Sequence, residues 1–284
     1  MKLAHLLLVH KNPSQVKRLI IRLAHKDSDI FIHLDKKCNP ADYQHIKNLK
    51  NVYFVRNRVK VNWGGYSTLQ AAVNGFEEIL DNGVAYSHIN LLSGQDYPLK
   101  DTDHIHDFLF KNVDKSFIKY RSIDDEWHNG RLRVAQYSFG DIDFPIPGKY
   151  ALERLVNFIL PKRKAPLGLK TFGDSTWLTI TPRSAQYVID YLNKHPEVKS
   201  FFKLTWGADE VVIQTILLNG TIKDTIVNDN LRYIELGENA HPRVLNSDDA
   251  PVLLNSGKLF ARKFDTTTDE KIFDELDALT LKAI

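Results

Sequence analysis

The stretch LAHLLLVHKNPSQVKRLIIRLAHKDSDIFIHL, residues 3–34, decides the fold. Residues 3–9 form a continuous apolar run of strand length, residues 13–24 carry apolar side chains at helical spacing, and residues 29–34 form a second apolar run. This order predicts a β-α-β unit. A chain built from such units forms an α/β layered sheet with right-handed crossovers.

The same alternation continues along much of the chain. Strands are predicted over 52–55, 86–92, 176–181 and 231–235, and helices over 42–49, 67–80, 184–193 and 209–218. The pattern weakens between about residues 117 and 170, which we interpret as a variable insert. Ligands of α/β sheets bind beyond the carboxyl ends of the strands, so the turns that follow the strands are the expected site.

Composition and charge restrict the classes of protein to which the chain can belong. The 284 residues are 43% hydrophobic and 26% charged, which is typical of one large soluble domain. The 38 basic side chains are scattered among 35 acidic ones, so the net charge of +3 does not predict a nucleic-acid partner. Cys38 is the single cysteine, which excludes an internal disulfide and indicates a reducing compartment. We therefore expect a cytoplasmic protein.

The sequence predicts no transmembrane segment. The apolar run at the N-terminus is flanked by His5 and His10 and precedes no small-residue cleavage site, so we expect a buried first strand rather than a leader. A bilayer span needs about 18 to 20 apolar residues, and no stretch approaches that length. Membrane contact would be peripheral, for example through the basic PKRK at 161–164, which favours the inner face of an anionic membrane.

Six short segments occur in a fixed order along the chain. They are HLDKK (33–37), VNWGGYS (61–67), LLSGQDYPLK (91–100), GDSTWLTIT (173–181), WGADE (206–210) and LFARKFD (259–265). Together they resemble the successive signatures of the core-2/I-branching β-1,6-N-acetylglucosaminyltransferase and peptide O-xylosyltransferase family, glycosyltransferase family 14. The resemblance covers roughly residues 3–265.

This resemblance implies a fold and an activity. The fold would be of the GT-A type, with a mixed central sheet flanked by helices in one domain over 1–284. Residues up to about 115 would form the nucleotide-binding half, and residues from about 116 the acceptor and diphosphate-binding half. The activity would be inverting, metal-independent transfer from a UDP-sugar to a hydroxyl of a glycan or glycolipid.

The donor stays open between UDP-GlcNAc and UDP-xylose. ARKF resembles the xylosyltransferase branch, whereas the family as a whole also includes N-acetylglucosaminyltransferases. The chain lacks the cysteine framework of the animal secretory enzymes, which fits a bacterial-type member.

Glu210 is the expected catalytic base. Inverting transfer needs a carboxylate beside the acceptor hydroxyl, to take its proton as it attacks. Glu210 matches the family's catalytic glutamate and precedes an apolar helix. The alternative is that Asp209 and Glu210 both cap that helix. With the resemblance, we assign capping to Asp209 and base catalysis to Glu210.

The departing diphosphate needs positive charge, from a cation or from fixed side chains. Arg262 and Lys263 lie in a segment that resembles the family's diphosphate-binding stretch, and Arg243 is expected to match a further arginine of the family. An arginine offers a fork for bidentate phosphate contacts, whereas a lysine offers a point charge. The alternative for adjacent basic residues is an ordinary solvated surface.

The remaining site residues follow strands or lie in glycine- and tryptophan-bearing segments. Val9, His10 and Asp35 follow the first two strands and are predicted to hold uridine. Trp63 is expected to line the uridine or donor site, Asp96 to face the donor sugar, and Trp177 to form a wall of the sugar or acceptor pocket. Core packing of the two tryptophans and a turn role for Asp96 are the alternatives.

Two rival functions remain. A metal-dependent GT-A transferase would hold its cation with an Asp-x-Asp triplet, and the chain has two, at 101–103 and 141–143. The first looks like a helix cap and the second lies in a Pro- and Gly-rich loop. A non-catalytic nucleotide-sugar-binding protein could share the same scaffold, because a fold alone does not establish catalysis.

Overall fold

The computed structural model describes residues 1–142, 147–237 and 241–281, with side chains through residue 278. The strands are β1 (Lys2–Val9), β2 (Ser28–Leu34), β3 (Val52–Phe54), β4 (Tyr86–Ser93), β5 (Asp96–Pro98), β6 (Ser116–Ser122), β7 (Phe172–Ile180), β8 (Ile226–Val227), β9 (Arg232–Ile234) and β10 (Phe260–Arg262). The α-helices are α1 (Pro13–Leu23), α2 (Gln44–Lys47), α3 (Tyr66–Asp81), α4 (Thr102–Phe110), α5 (His128–Ala135), α6 (Lys149–Ile159), α7 (Pro182–Lys194), α8 (Pro196–Lys203), α9 (Val212–Leu218), α10 (Ala250–Asn255) and α11 (Lys271–Leu281).

Across the described ranges, the main sheet has the strand order β3-β2-β1-β4-β7-β6-β8. The neighbouring strands β3, β2, β1 and β4 are parallel, whereas β7 is antiparallel to both β4 and β6. The carboxyl ends of β1, β2 and β4 and the start of β7 therefore meet at one edge. The predicted α/β architecture with a mixed sheet is confirmed, and strands from both predicted halves of the chain share that sheet.

Helices cover both faces of the main sheet. In β1, Leu6 belongs to the apolar cluster that contains Phe76 of α3 and residues of α7. Leu7 belongs to a second cluster, on the opposite face of the sheet, which contains Leu19 of α1. Successive side chains of a strand point to opposite faces, so a strand between two helical layers is apolar at every position. This explains why the first strand reads as an unbroken apolar run.

A second, smaller sheet lies beside the carboxyl edge. Its order is β5-β10-β9, with β10 antiparallel to β5 and parallel to β9. In this register Arg262 is the partner of Asp96. The sheet therefore places the ARKF segment directly against the SGQDYP turn.

The structure also departs from the predicted elements. Strand β6 and helices α5 and α6 lie in the segment where the periodicity weakens, and the short strands β5 and β10 lie within motifs interpreted as turns or binding segments. The helix expected over 209–218 begins only at Val212, after a 3-10 turn at Ala208–Glu210. Short strands and single turns carry too little periodicity to be recognised from sequence.

Candidate active site

The candidate site lies at the carboxyl edge of the parallel strands, where the small sheet and the Ala208–Glu210 turn approach the main sheet. Gly207 begins this turn with φ of 72°, a backbone conformation that glycine adopts readily. Its amide donates to the Gly64 carbonyl at 2.6 Å. This hydrogen bond joins the WGADE and VNWGG segments through two glycines that are 143 positions apart in the chain.

Glu210 lies half-buried at this edge. Its Oε2 accepts a hydrogen bond from Arg133 Nη1. Burial raises the pKa of Glu210 to about 7, with a further rise from Asp209 and an opposing effect from Arg133. A carboxylate with this pKa is matched to proton transfer near neutral pH.

Arg133 is held between two indole rings. Its guanidinium lies 4.8 Å from the Trp127 ring centre and 4.1 Å from that of Trp206. Stacking of this kind fixes the plane of the guanidinium while its N–H groups stay available to an acceptor. Arg133 therefore presents an oriented donor to Glu210.

Asp209 does not cap a helix, contrary to the role assigned from sequence. It accepts a hydrogen bond from Thr176 Oγ1 of β7 at 2.7 Å, and its Oδ1 is buried with no partner in the described part of the chain. Burial raises its pKa. The turn directs Asp209 toward the sheet because the first helical turn begins three residues later than the sequence pattern indicates.

Arg262 is buried beside Trp177. Its side chain lies 4.3 Å from the centre of the indole ring, and only 9% of the residue is exposed. Its Nε is buried with no hydrogen-bond partner among the described residues. Burial lowers its pKa, while the negative charges of Asp96, Glu210 and Asp209 act in the opposite direction. A desolvated guanidinium in this state favours an incoming anion.

Lys263 follows directly and is half-buried. Within the described residues its amine forms neither a hydrogen bond nor an ion pair. Burial lowers its pKa, and the positive charges of Lys11 and Arg262 add to that effect. Lys11 itself is bound to Asp265 at 2.6 Å. The segment thus concentrates positive charge that local carboxylates neutralise only in part.

Two glutamines hold the segment after β10 against the main sheet. Gln15 Nε2 donates to Gly94 O at 2.8 Å and to Phe264 O at 3.2 Å, and Gln95 Nε2 also donates to Phe264 O. These contacts connect α1 and the turn after β4 with the ARKF segment. Lys263 is therefore positioned by a buried hydrogen-bond network.

Val9, His10 and Asp35 come together at the ends of β1 and β2, as predicted. The Asp35 amide donates to the Val9 carbonyl at 2.8 Å, and Asp35 Oδ1 accepts from the Lys37 amide at 2.9 Å. His10 is exposed beside them. Its pKa is lowered, first by desolvation and then by the charge of Lys11. The buried Asp35 carboxylate keeps Oδ2 for a further contact, 3.5 Å from Lys37 Nζ.

Asp96 is completely buried. Its Oδ2 accepts from the Ser93 amide at 2.7 Å and from the Ser93 hydroxyl, whereas Oδ1 is buried without a hydrogen-bond partner in the described chain. A turn-forming role for Asp96 was the alternative to a contact with the donor sugar. The hydrogen bonds from Ser93 to Asp96 do form such a turn within SGQD. The unpaired Oδ1 leaves an acceptor beside Arg262 and Arg232.

Arg243 is already engaged by two carboxylates. Its Nη2 donates to Glu235 Oε2 and to Asp249 Oδ1, each at 2.7 Å, and its Nη1 donates to Asp249 Oδ2 at 2.9 Å. These hydrogen bonds raise its pKa. As it stands, this arginine bridges β9 and the turn before α10, and a phosphate contact would require it to exchange partners.

Trp63 is exposed, with 71% of its surface accessible. Its ring lies 5.4 Å from the Trp206 ring in an edge-to-face arrangement and 5.4 Å from the His241 ring. The core-packing alternative is therefore wrong for Trp63. Trp177 is half-buried and contacts Arg262, so it combines packing with a place at the site.

The Asp-x-Asp triplets have other roles where the structure describes them. Asp101 caps α4 by accepting from the His104 amide at 2.7 Å, as the sequence indicates. Asp141 Oδ2 accepts from the Ser67 amide at 2.8 Å at the start of α3. Asp143 lies outside the described residues. In the ranges described, no group of three or more His, Cys, Asp or Glu side chains is arranged to hold a metal ion.

Sequence reasoning missed Arg133, Trp127 and Arg232. Arg133 and Trp127 lie in the segment without clear periodicity, and their contact with Glu210 arises only from the tertiary fold. Arg232 is buried and donates to Leu91 O at 3.0 Å and Leu178 O at 2.9 Å. Little in the sequence indicates a buried role for Arg232, because a single arginine in a short strand normally lies at an exposed edge.

The chain is thus an α/β protein with two features at one edge of its main sheet. Glu210 is a carboxylate with a raised pKa, and Arg262 and Lys263 form a cationic segment whose hydrogen bonds are incomplete among the described residues. The sequence profile of the Core-2/I-Branching enzyme family matches residues 3–249. The chain therefore belongs to the Core-2/I-branching enzyme family, as the order of its motifs implied.

Several xylosyltransferases are similar to the chain. Human xylosyltransferase 2 is 26% identical across 97% of the chain and 33% of its own length. Rat xylosyltransferase 1 is 26% identical across 98% of the chain and 35% of its own length. The chain thus spans about a third of the length of these curated relatives.

Solved structures are similar at a lower level. An apo structure of the bifunctional glycosyltransferase WbbM aligns with a TM-score of 0.39 and 11% identity, covering 92% of the chain and 45% of that protein. Mouse xyloside xylosyltransferase 1 aligns with a TM-score of 0.34 and 10% identity, covering 79% of the chain and 84% of that protein.

Proposed function

We propose that the chain is an inverting glycosyltransferase that moves GlcNAc or xylose from a UDP-sugar to a hydroxyl of a glycan or glycolipid, without a bound metal ion. The observation that carries this proposal is the position of Arg262. Its side chain is buried, its Nε has no hydrogen-bond partner among the described residues, and it interacts electrostatically with Glu210. This arrangement supports the proposal that one edge of the sheet supplies both a cation for the leaving group and a base for the acceptor.

Glu210 takes the proton from the acceptor hydroxyl as that oxygen attacks the anomeric carbon. Arg133 holds the carboxylate in place through the hydrogen bond to Oε2. Because the pKa of Glu210 is about 7, a substantial fraction is ionised at neutral pH and retains useful basicity. Asp209 contributes a neighbouring negative charge that supports this raised pKa.

Arg262 and Lys263 stabilise the diphosphate as the glycosidic bond breaks. Negative charge grows on the leaving oxygen in the transition state, so fixed cations stabilise it more than the ground state. Lys263 has an amine without a described hydrogen-bond partner, and Arg262 has an unpaired Nε. Arg243 remains a candidate for a further phosphate contact, although its ion pairs would have to open.

The uridine lies at the ends of β1 and β2. Asp35 accepts from the uracil or ribose through Oδ2, which also lies 3.5 Å from Lys37 Nζ, while Val9 and His10 form the adjoining backbone. The exposed Trp63 packs against the acceptor or donor sugar. Asp96 is completely buried, so it acts on the donor side through its charge beside Arg262 rather than by direct contact with the sugar. Trp177 forms a wall behind Arg262.

The xylosyltransferase relatives and ARKF favour xylose as the donor sugar, and the motif resemblance leaves GlcNAc as the second candidate. The single cysteine supports a cytoplasmic location at or near the inner face of the membrane. Capsule, exopolysaccharide or another surface glycan is the natural acceptor of an enzyme placed there.

A thermal-shift screen tests the proposal. The protein is heated with UDP, UDP-GlcNAc, UDP-xylose, UDP-glucose or GDP-mannose, each with EDTA and with Mn²⁺, because a ligand that binds only the folded state raises Tm. We expect UDP compounds to raise Tm in EDTA. A response that requires Mn²⁺ would favour the metal-dependent alternative, and the absence of any response to UDP compounds would overturn the nucleotide site.

A transfer assay then separates an enzyme from a binding protein. Release of UDP from the stabilising UDP-sugar is followed with an added oligosaccharide acceptor. Binding without release across a panel of acceptors would favour the non-catalytic alternative.

A further inference from the structure

Helix α6 attaches to the protein through its polar side chains. Glu153 Oε2 accepts from the Phe139 amide at 2.6 Å. Asn157 accepts from the Tyr137 amide at 2.7 Å and donates to the Tyr137 carbonyl at 2.8 Å. Residues four apart lie on one helix face, so the face toward the protein is the polar one.

The opposite face of α6 is apolar and exposed. Its outward side chains have exposed fractions of 42% for Leu152, 53% for Leu155, 89% for Phe158 and 66% for Ile159. The spacing of three and four residues places them in one stripe. A helix of a globular protein normally turns such a stripe toward the core, and an exposed one marks an interaction surface.

The charge around this stripe is positive. Residues 149–164 hold five basic side chains and one acidic side chain, and that acid, Glu153, faces the protein. Arg163 is anchored by hydrogen bonds to Leu204 O at 2.5 Å and Thr205 Oγ1 at 3.1 Å. This anchor leaves Lys162 and Lys164 exposed on the turn after α6.

We propose that the apolar stripe of α6 and the basic turn at 161–164 dock the protein on an anionic phospholipid bilayer. The apolar side chains enter the boundary between headgroups and acyl chains, while the lysines contact lipid phosphates. The positive charge selects an anionic lipid surface rather than a neutral one. Among the described residues, no helix is long and apolar enough to cross the membrane, so α6 would lie along its surface.

This surface is joined to the candidate site. The 136–142 segment, which receives the polar face of α6, directly follows the helix that carries Arg133, and its Asp141 binds the start of α3. Docking through α6 would therefore anchor near the bilayer the segment that connects α5 with the start of α3. Nucleotide binding does not depend on this contact, so the two proposals can fail separately.

Vesicle co-sedimentation of the full chain tests the proposal. Vesicles of phosphatidylcholine alone are compared with vesicles that also contain phosphatidylglycerol. We expect sedimentation with the second kind only, weakened by added salt because surface attraction is screened. Phe158→Ser with Ile159→Ser should lower the partition coefficient by at least about tenfold, since two apolar side chains leave the lipid boundary.

Ile21→Ser is the matched control, because Ile21 is 60% exposed on a different helix. It should bind vesicles like the unaltered protein, and all variants should keep the same Tm and UDP response. Failure of the unaltered protein to bind anionic vesicles, or equal binding by the double variant, would overturn the proposal. So would a dimer in gel filtration that the double variant converts to a monomer while vesicle binding persists, because a second copy would then cover α6.

Discussion

Arg262 stacks on Trp177, with its guanidinium carbon 4.3 Å from the centre of the indole ring. The ring takes up one face of the cation and removes water from it, but it accepts no conventional hydrogen bond from the buried Nε. A charge that is desolvated in this way costs free energy until an anion arrives. The contact between Arg262 and Trp177 supports the proposed binding of a diphosphate here.

The contribution of Lys263 can be measured directly. Lys263→Ala removes a half-buried amine, so UDP should bind at least about tenfold more weakly, as expected for one charge-assisted phosphate contact. Uridine, which has no phosphate, should bind with unchanged affinity. Lys258→Ala is the control, because Lys258 precedes the same strand but pairs with Asp229 at 2.6 Å. Isothermal calorimetry gives both constants, and equal UDP affinity in the two variants would contradict the assignment.

The two arginines should separate ligand binding from stability. Arg262→Met keeps contact with Trp177 but removes the unpaired charge, so UDP affinity should fall sharply while the free energy of unfolding stays the same or rises. Arg243→Met leaves Glu235 and Asp249 without their partner, so stability should fall by about 1 kcal/mol or more with a smaller loss of UDP affinity. Denaturant unfolding and calorimetry distinguish these outcomes. A larger loss of UDP affinity in Arg243→Met would show that Arg243 exchanges partners and binds the diphosphate.

Glu210→Gln should abolish most transfer and preserve nucleotide binding. A general base contributes roughly 10² to 10⁴ in rate, and the amide cannot take a proton although it can still accept from Arg133. Asp209→Asn is the matched variant, because Asp209 is the adjacent acid and its amide can still accept from Thr176. Initial rates of UDP release should fall much less in Asp209→Asn. The reverse ranking would transfer the role of base to Asp209.

Parts of the architecture could be predicted from sequence because they repeat a physical pattern. The strand at residues 3–9 lies between two helical layers, and the cap at Asp101 depends on the next three residues alone. The pairing of Arg133 with Glu210 joins residues 77 apart, and the guanidinium also contacts two indoles from separate segments. The packing of three distant segments leaves no local periodicity, so only the structure could reveal it.

The exposure of Trp63 predicts a role in binding rather than in stability. Trp63→Ala should change the free energy of unfolding by less than about 0.5 kcal/mol, as expected for an exposed side chain. The same variant should raise KM for the sugar acceptor or donor, because an indole face packs against the C–H groups of a pyranose. Tyr53→Ala is a control, since Tyr53 is 47% exposed on β3. A large loss of stability with unchanged KM would assign Trp63 to packing instead.

The pKa of Glu210 links rate, stability and Arg133. Since the base acts when ionised, transfer at saturating substrate should rise as pH increases through about 7 and then level off. The folded state holds this proton more tightly than the unfolded chain, whose carboxyl has a pKa of about 4.5. The contribution of Glu210 to the free energy of unfolding should therefore fall as pH rises from about 4.5 to about 7.

Arg133→Met is the sharpest test of that link. Methionine can still lie between the two indoles, but it removes the charge that opposes the rise in the pKa of Glu210. The midpoint of the pH-rate profile should move to higher pH, and Glu210→Gln should lose the pH dependence associated with this group. Arg131→Met is the control, because Arg131 lies on the same helix and its side chain faces Asp124. Arg133→Met could instead lower the rate equally at every pH and leave the midpoint of the profile unchanged. That result would mean that Arg133 supports the fold of the site without setting the pKa of Glu210.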